Sequence, residues 1–224
     1  MKTLRDLLND FSDCEVVSLA YSDPRIKPKM MLALVKESLG SGHPVEYIDF
    51  DLQFSSLLQS LSDDQYNEIS DELLRVFQPG PNVIDFVAPL FNSGRKGGLI
   101  VIDSLNTAQN LLSQEPTAAD LKLANHRAAI FISALQQFAR ANSQTILLLN
   151  LTKLRPKRGK NSEILWEKEI VGGRMTRFKS DVILFVSQSI LHSESIRIEV
   201  KVGSIVSEAF GGYESDEYEL QFEH

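Results

Sequence analysis

Five short apolar runs punctuate the chain: Glu15–Tyr21, Val45–Phe50, Leu99–Asp103, Thr145–Asn150 and Val182–Val186. Each is rich in Val, Ile and Leu, is bounded by polar residues or Gly, and lacks alternation. Such runs predict strands covered on both faces, the pattern of a parallel sheet. Helical spacing fills the gaps between them. Lys29–Leu39 is built from good helix formers and meets Gly40, a candidate C-cap. Over Thr117–Asn142, Leu121, Ala124, Ala128, Ile132, Leu135 and Phe138 recur every three or four residues and paint one face of a long helix. Ser62–Phe77 reads as a further amphipathic helix. The tail changes period. Ser195–Val202 and Tyr218–Phe222 alternate apolar and polar residues, which predicts half-exposed strands closing an antiparallel hairpin around Gly211-Gly212. Strands alternating with helices predict an α/β fold: a mostly parallel central sheet, helices on both faces and antiparallel strands at the C-terminal end. The longest stretches without a regular pattern are Pro79–Gly98 and Lys153–Arg174, and loops of that length are often functional.

Composition narrows the class. A chain of 224 residues fits a single domain over 1–224, with 1–14 as a short N-terminal helix. One cysteine, Cys14, excludes an intramolecular disulfide and a Cys-based zinc site. The four histidines, His43, His126, His192 and His224, show no ligand spacing, so no metal site is expected. The first ten residues carry two acids and no long apolar run, and no run reaches 18 apolar residues. The expectation is a cytoplasmic protein without a membrane contact. A net charge of −7 argues against a surface that coats nucleic acid as a whole, and leaves room for a focused basic site.

Candidate chemistry lies at the strand ends. After the first run comes Asp23-Pro-Arg-Ile-Lys-Pro-Lys-Met30, then a helix. Laid over the phosphate-loop template G-x-x-x-x-G-K-[ST], Asp23 and Pro28 stand at the glycine positions, Lys29 keeps the lysine and Met30 replaces the hydroxyl residue. Such a loop binds phosphate through backbone N–H groups, and Pro28 has none. Asp23 adds a negative charge, and Met30 cannot ligate Mg²⁺. The plain alternative is a solvated basic turn entering a helix. The second run ends in Asp49 and Asp51, two apart, where α/β proteins place their sites. Asp51 is a candidate base, or a solvated strand-end carboxylate. The third run ends in Asp103-Ser104. Asp103 is a candidate metal-binding carboxylate or the cap of the helix that follows.

The strongest charge feature is Lys153-Leu-Arg-Pro-Lys-Arg-Gly-Lys160, five cations in eight residues without an acid. Lys153, Arg155, Lys157, Arg158 and Lys160 are candidate phosphate contacts, and Trp166, the only tryptophan, is a candidate stacking platform for a base. The alternative is a solvated loop with Trp166 in the core.

In order, these features resemble the RecA/RadA recombinase core, including the RadB and KaiC-like ATPases. The resemblance runs from about Glu15 to Phe222. YIDFDLQF is similar to the family's "YIDTEGTF" strand and puts Asp51 at the catalytic glutamate position. LIVIDS resembles a Walker B strand with Asp103. LNLT resembles the "TNQV" sensor, with Asn150 kept and Leu151 in place of glutamine. The basic segment coincides with the second DNA-binding loop, and Gly172-Gly173 with the family's "GG" before the next strand. The resemblance implies a RecA-like P-loop fold whose nucleotide residues would be Lys29, Asp103, Ser104 and Asn150. The departures from Walker A imply a degenerate paralogue without a resident cofactor, binding ATP and Mg²⁺ only if the altered loop still holds them. The implied function is that of a non-catalytic accessory protein in recombination and repair. It would bind single-stranded nucleic acid through the basic loop and assemble with a RecA-like partner or with itself. Two alternatives stay open. One is a scaffold subunit of a RecA-like ring, Elongator- or KaiC-like, without a nucleic-acid role. The other is an active ATPase with Asp51 as its catalytic residue.

Overall fold

In the computed structural model, the described residues are 15–62, 66–67, 69, 72–79, 89–92, 95–112, 118–158, 164–170, 179–188, 195–201 and 215–221. Strands β1 (Val16–Tyr21), β2 (Val45–Asp49), β3 (Leu74–Phe77), β4 (Leu99–Asp103), β5 (Thr145–Arg158), β6 (Ile164–Ile170), β7 (Val182–Gln188), β8 (Ser195–Lys201) and β9 (Ser215–Gln221) share one sheet. Its order is β3-β2-β4-β5-β1-β7-β8-β9, and β6 pairs with β5 off this path. The six strands from β3 to β7 in that order are parallel, and β8 and β9 add antiparallel. The fold is therefore α/β with an all-parallel central sheet.

Helices α1 (Lys27–Gly40), α2 (Gln53–Ser60), α3 (Leu105–Leu112) and α4 (Ala118–Asn142) cover both faces. Alternation along each strand divides the core. Val17, Leu19, Tyr21, Leu147 and Leu149 pack with Met30, Met31, Leu34 and Phe54 of α1 and α2. Val16, Ile146 and Leu148 point the other way, to Leu105 and Ala108 of α3 and Ile132, Leu135 and Ala139 of α4. Every residue of β1 and β2 is buried, the polar Ser18, Glu46 and Asp49 among them, which explains why neither strand alternates between apolar and polar positions.

Several expectations are corrected. Ser62–Phe77 is not a helix, because Leu74–Phe77 forms edge strand β3 beside β2. Helix α1 passes through Gly40 and is capped at Ser41, and Gly42 takes the positive φ of 78° that closes the turn. The largest difference is at β5. It does not end at Asn150 but runs on to Arg158, where β6 returns along it, so much of the stretch read as irregular is a β-hairpin. The N-terminal helix over 1–14, Cys14, most of Pro79–Gly98, Gly172-Gly173 and the Gly211-Gly212 loop lie outside the described residues.

Gly98 enters β4 at φ 83°, and a Cβ there would sit 1.9 Å from the Pro44 carbonyl oxygen. That oxygen accepts the Leu99 N–H at 2.9 Å. Gly98→Ala must move backbone at the β2–β4 junction, and a loss of about 1–3 kcal/mol is expected by urea denaturation. Unchanged stability would contradict this close approach.

Candidate functional site: a closed carboxylate–lysine cluster and a hairpin arm

Three elements converge at the carboxyl ends of β1, β2 and β4. Helix α1 begins at Lys27, whose side chain is only 1% exposed. Its inward stripe continues through Met30, Met31 and Leu34, so Lys27 is the polar end of an apolar face. The ammonium donates to Asp103 Oδ1 at 2.6 Å and to Asp51 Oδ2 at 2.8 Å. Tyr47 Oη donates to Asp103 Oδ2 at 2.5 Å, and its ring stacks on Phe54 at 4.0 Å between centroids. Both oxygens of Asp103 are thus engaged by protein donors. Asp51, 15% exposed, is the solvent-side member, with Ser104 Oγ 3.5 Å from its Oδ1.

The electrostatics follow from burial. Asp103 is pushed up to about 6, because burial outweighs the opposing pull of Lys27 and of the Tyr47 hydroxyl. It therefore remains mostly ionised at neutral pH. The Tyr47 hydroxyl is raised well above its ordinary value by burial, and then by the Asp103 charge. Tyr21, whose ring centroid lies 6.0 Å from the ammonium, is likewise raised by burial first and by the nearby carboxylates second.

The turn before α1 is closed on itself. Asp23 Oδ1 accepts the Arg25 backbone N–H at 2.9 Å, and the Arg25 guanidinium grips the same carboxylate. A backbone donor that an anion would need is already taken. The exposed ion pair holds the Asp23 carboxyl below its usual range.

The expected nucleotide residues are only partly brought together. Asp51, Asp103 and Ser104 meet, but Lys29 is exposed and Lys27 stands in the cluster instead. Met30 is fully buried in the core. Asn150 points to the opposite side of the sheet, where its Nδ2 donates to Leu148 O at 3.2 Å and lies 3.4 Å from Ser18 Oγ. Asp49 and Asp51 do not act as a pair, because β2 ends at Asp49. Asp49 Oδ2 instead accepts from the N–H and Oγ of Ser55 in the first turn of α2. Ser104, not Asp103, caps α3, by accepting the Thr107 N–H at 3.3 Å. In the sequence Lys27 reads only as one of three cations of the turn, with Arg25 and Lys29, and Tyr47 has no reading at all. The legible signal for Lys27 was its place three and four residues before Met30 and Met31 on the buried stripe.

The second feature is the arm. β5 runs past its last pairing with β1, Leu151 opposite Tyr21, and β6 pairs with it from Thr152–Ile170 to Arg158–Ile164. The register sorts the residues into two faces. Lys153, Arg155 and Lys157 stand opposite Glu169, Glu167 and Leu165. Leu154, Pro156 and Arg158 stand opposite Lys168, Trp166 and Ile164. Trp166 is not in the core: it is 65% exposed, with Leu154 at 62% and Ile164 at 64%. The tryptophan and three of the cations thus occupy opposite faces. Lys160 lies outside the described residues.

Among the described residues, no group of His, Cys, Asp or Glu is arranged to hold a metal ion, and no helix is long and apolar enough to cross a membrane. The chain matches no protein-family model and no curated protein.

Proposed function

We propose that this chain is a non-catalytic RecA-like accessory module of recombination and repair. It binds a nucleic-acid strand through the β5–β6 arm and assembles with RecA-like subunits. The observation that carries the reading is Lys27. A phosphate loop needs a lysine free to reach a phosphate, and the buried lysine at this turn is held by two carboxylates. The ammonium stands beside Asp103, where a working site would bring its metal, and the loop's Asp23 occupies a backbone donor. Pro28 and the buried Met30 remove two further requirements for Mg·ATP. The parallel sheet with antiparallel terminal strands supports the RecA-like assignment.

The arm supports binding of a strand at one of its faces. Residues 153–170 carry six cations against three glutamates, a net +3 in a chain of −7. The cross-strand glutamates lower the number of phosphates the arm can neutralise. Three effective contacts on a single strand correspond to a slope of log K on log salt of about −2, compared with about −3.5 for five. Titration with a single-stranded oligonucleotide at several salt concentrations is expected to give that shallow slope. Lys153→Glu with Lys157→Glu, two cations of one face, is expected to abolish the binding. Mg·ATP is expected not to saturate the protein. Saturable Mg·ATP binding, with turnover lost in Lys27→Ala and Asp103→Ala, would restore the ATPase reading. The exposed apolar side of the arm favours a second reading, a ring or scaffold subunit that contacts protein alone.

A further inference from the structure

One face of the β5–β6 arm is apolar and left open by the rest of the chain. The register sets Leu154, Pro156 and Arg158 of β5 beside Lys168, Trp166 and Ile164 of β6 on that face. At its root the paired Thr152 and Ile170 are buried, and Ile170 belongs to a small core with Ala20 and Ile183 of the sheet. Beyond this pair the cover stops: Leu154, Ile164 and Trp166 are each more than three-fifths exposed. Large apolar side chains grouped and left open in this way mark a surface that meets something else.

The acids of the arm are sorted away from this face. Glu167 and Glu169 hold register positions opposite Arg155 and Lys153, on the other side of the ribbon. No Asp or Glu stands at 154, 156, 158, 164, 166 or 168, and Arg158 is exposed. Over 153–170, six cations against three glutamates leave +3. Six steps of about 3.4 Å carry Arg158 about 20 Å beyond Thr152. That is well past the screening length of about 8 Å at physiological salt. Local charge, not the −7 of the whole chain, therefore governs what the outer arm meets.

Three kinds of occupant can be weighed. A standard protein interface takes about 20–30 residues a side, so a protein seated here would have to find most of its contact elsewhere. A nucleic-acid base gains from an aromatic ring but little from Leu154, Pro156 or Ile164. A lipid bilayer uses every residue of the face. Acyl chains accept the aliphatic side chains, tryptophan favours the headgroup level, and an arginine stem lies along apolar surface while its charge stays among the headgroups. Anionic headgroups add to this, since each basic residue close to such a surface raises the affinity about fivefold.

We propose that this face of the arm docks on an anionic lipid surface, with Leu154, Ile164 and Trp166 entering the interface and Arg158 at the headgroups. The hairpin lies on the bilayer and does not cross it, so one apolar face suffices and no long apolar run is needed. The opposite face, with Lys153 and Arg155, is left for the strand of the proposed function. The inference goes beyond that reading and does not depend on it.

Trp166 is the only tryptophan, so its emission reports this face directly. The full chain is mixed with vesicles of phosphatidylcholine alone, and with vesicles of phosphatidylcholine and phosphatidylserine in equal parts. Only the mixed vesicles are expected to carry the protein in flotation, to shift the emission to the blue and, with brominated acyl chains, to quench it. Binding is expected to weaken with salt. Leu154→Ser with Ile164→Ser is expected to lower the partition coefficient at least about tenfold. Circular dichroism and unchanged oligonucleotide binding check that this variant is intact. Mixed vesicles that do not bind, vesicles that bind without moving the emission, or a serine variant that partitions like wild type would each overturn the proposal. So would a blue shift that grows with protein concentration in the absence of lipid, because a second copy would then cover the face. Oligonucleotide binding without vesicle binding would overturn this inference and leave the nucleic-acid reading standing. Vesicle binding with the expected shift but no oligonucleotide binding would uphold the inference and overturn that reading.

Discussion

Lys27→Met is expected to lower the stability of the protein by about 3–5 kcal/mol, the usual consequence of removing one partner from a buried ion pair. Methionine keeps the unbranched stem that packs at the start of α1, so the loss reports the charge. What remains is Asp103, 1% exposed, with only the Tyr47 hydroxyl as a donor, and Asp51, which water still reaches. The dependence on pH has a definite sign. The Asp103 carboxyl is raised above its unfolded value of 3.8 to about 6. Between those values the folded state holds a proton that the unfolded state has released. This group therefore favours folding most near pH 4, and its contribution falls as pH rises through 6. Without the ammonium that opposes burial, the folded value climbs further and the fall extends to higher pH. Urea titrations from pH 4 to 8 should show the deficit of Lys27→Met growing with pH relative to wild type. A deficit independent of pH would mean that lost packing, not an orphaned carboxylate, explains it.

Much of the scaffold was legible in the sequence. The five apolar runs without alternation all became strands of the parallel sheet, because burial on both faces leaves no solvated face to impose a two-residue period. The stripe from Leu121 to Phe138, read as a helix over Thr117–Asn142, placed α4 within one residue of its observed start. The failures share a cause: each depended on a partner distant in the chain. Leu74–Phe77 has spacing compatible with a helix, and only its pairing with β2 makes it a strand. Lys153–Arg158 looks irregular because Pro156 breaks the pattern, but β6 supplies a partner across the hairpin. Proline is tolerated there because the arm is all edge. At the candidate site, the lysine that the template selects is not the one that meets the carboxylates. Matching by linear position selects Lys29, whereas helix periodicity turns Lys27 inward and Lys29 to solvent. Asp51 and Asp103 lie together because strand ends in a parallel sheet are fixed by the strands themselves. Tyr47 was hidden inside an apolar run, where a hydroxyl gives no signal until its partner is known.

Replacing the whole buried cluster should cost far less than breaking it. Buried ion pairs exchanged for apolar residues of similar volume are often neutral or stabilising, since the desolvation of both charges disappears along with their attraction. Here the exchange must include Tyr47. Asp103→Leu alone leaves Lys27 with Asp51 and strands the Tyr47 hydroxyl, which has lost its acceptor in the core at a cost of about 1–3 kcal/mol. The triple variant Lys27→Met, Tyr47→Phe, Asp103→Leu removes all three groups and keeps the ring stacked on Phe54. It is expected to return to within about 2 kcal/mol of wild type, while the separate losses of Lys27→Met and Asp103→Leu sum to about 4–8 kcal/mol. The size of that non-additivity measures how tightly the groups are coupled. Strand binding supplies the functional arm of the experiment. A cluster that only closes a vestigial site can be made apolar without changing the affinity of the β5–β6 arm for an oligonucleotide. A triple variant that is folded and as stable as wild type but no longer binds the strand would show that the cluster does more than hold the sheet ends together, and the non-catalytic reading would fail there.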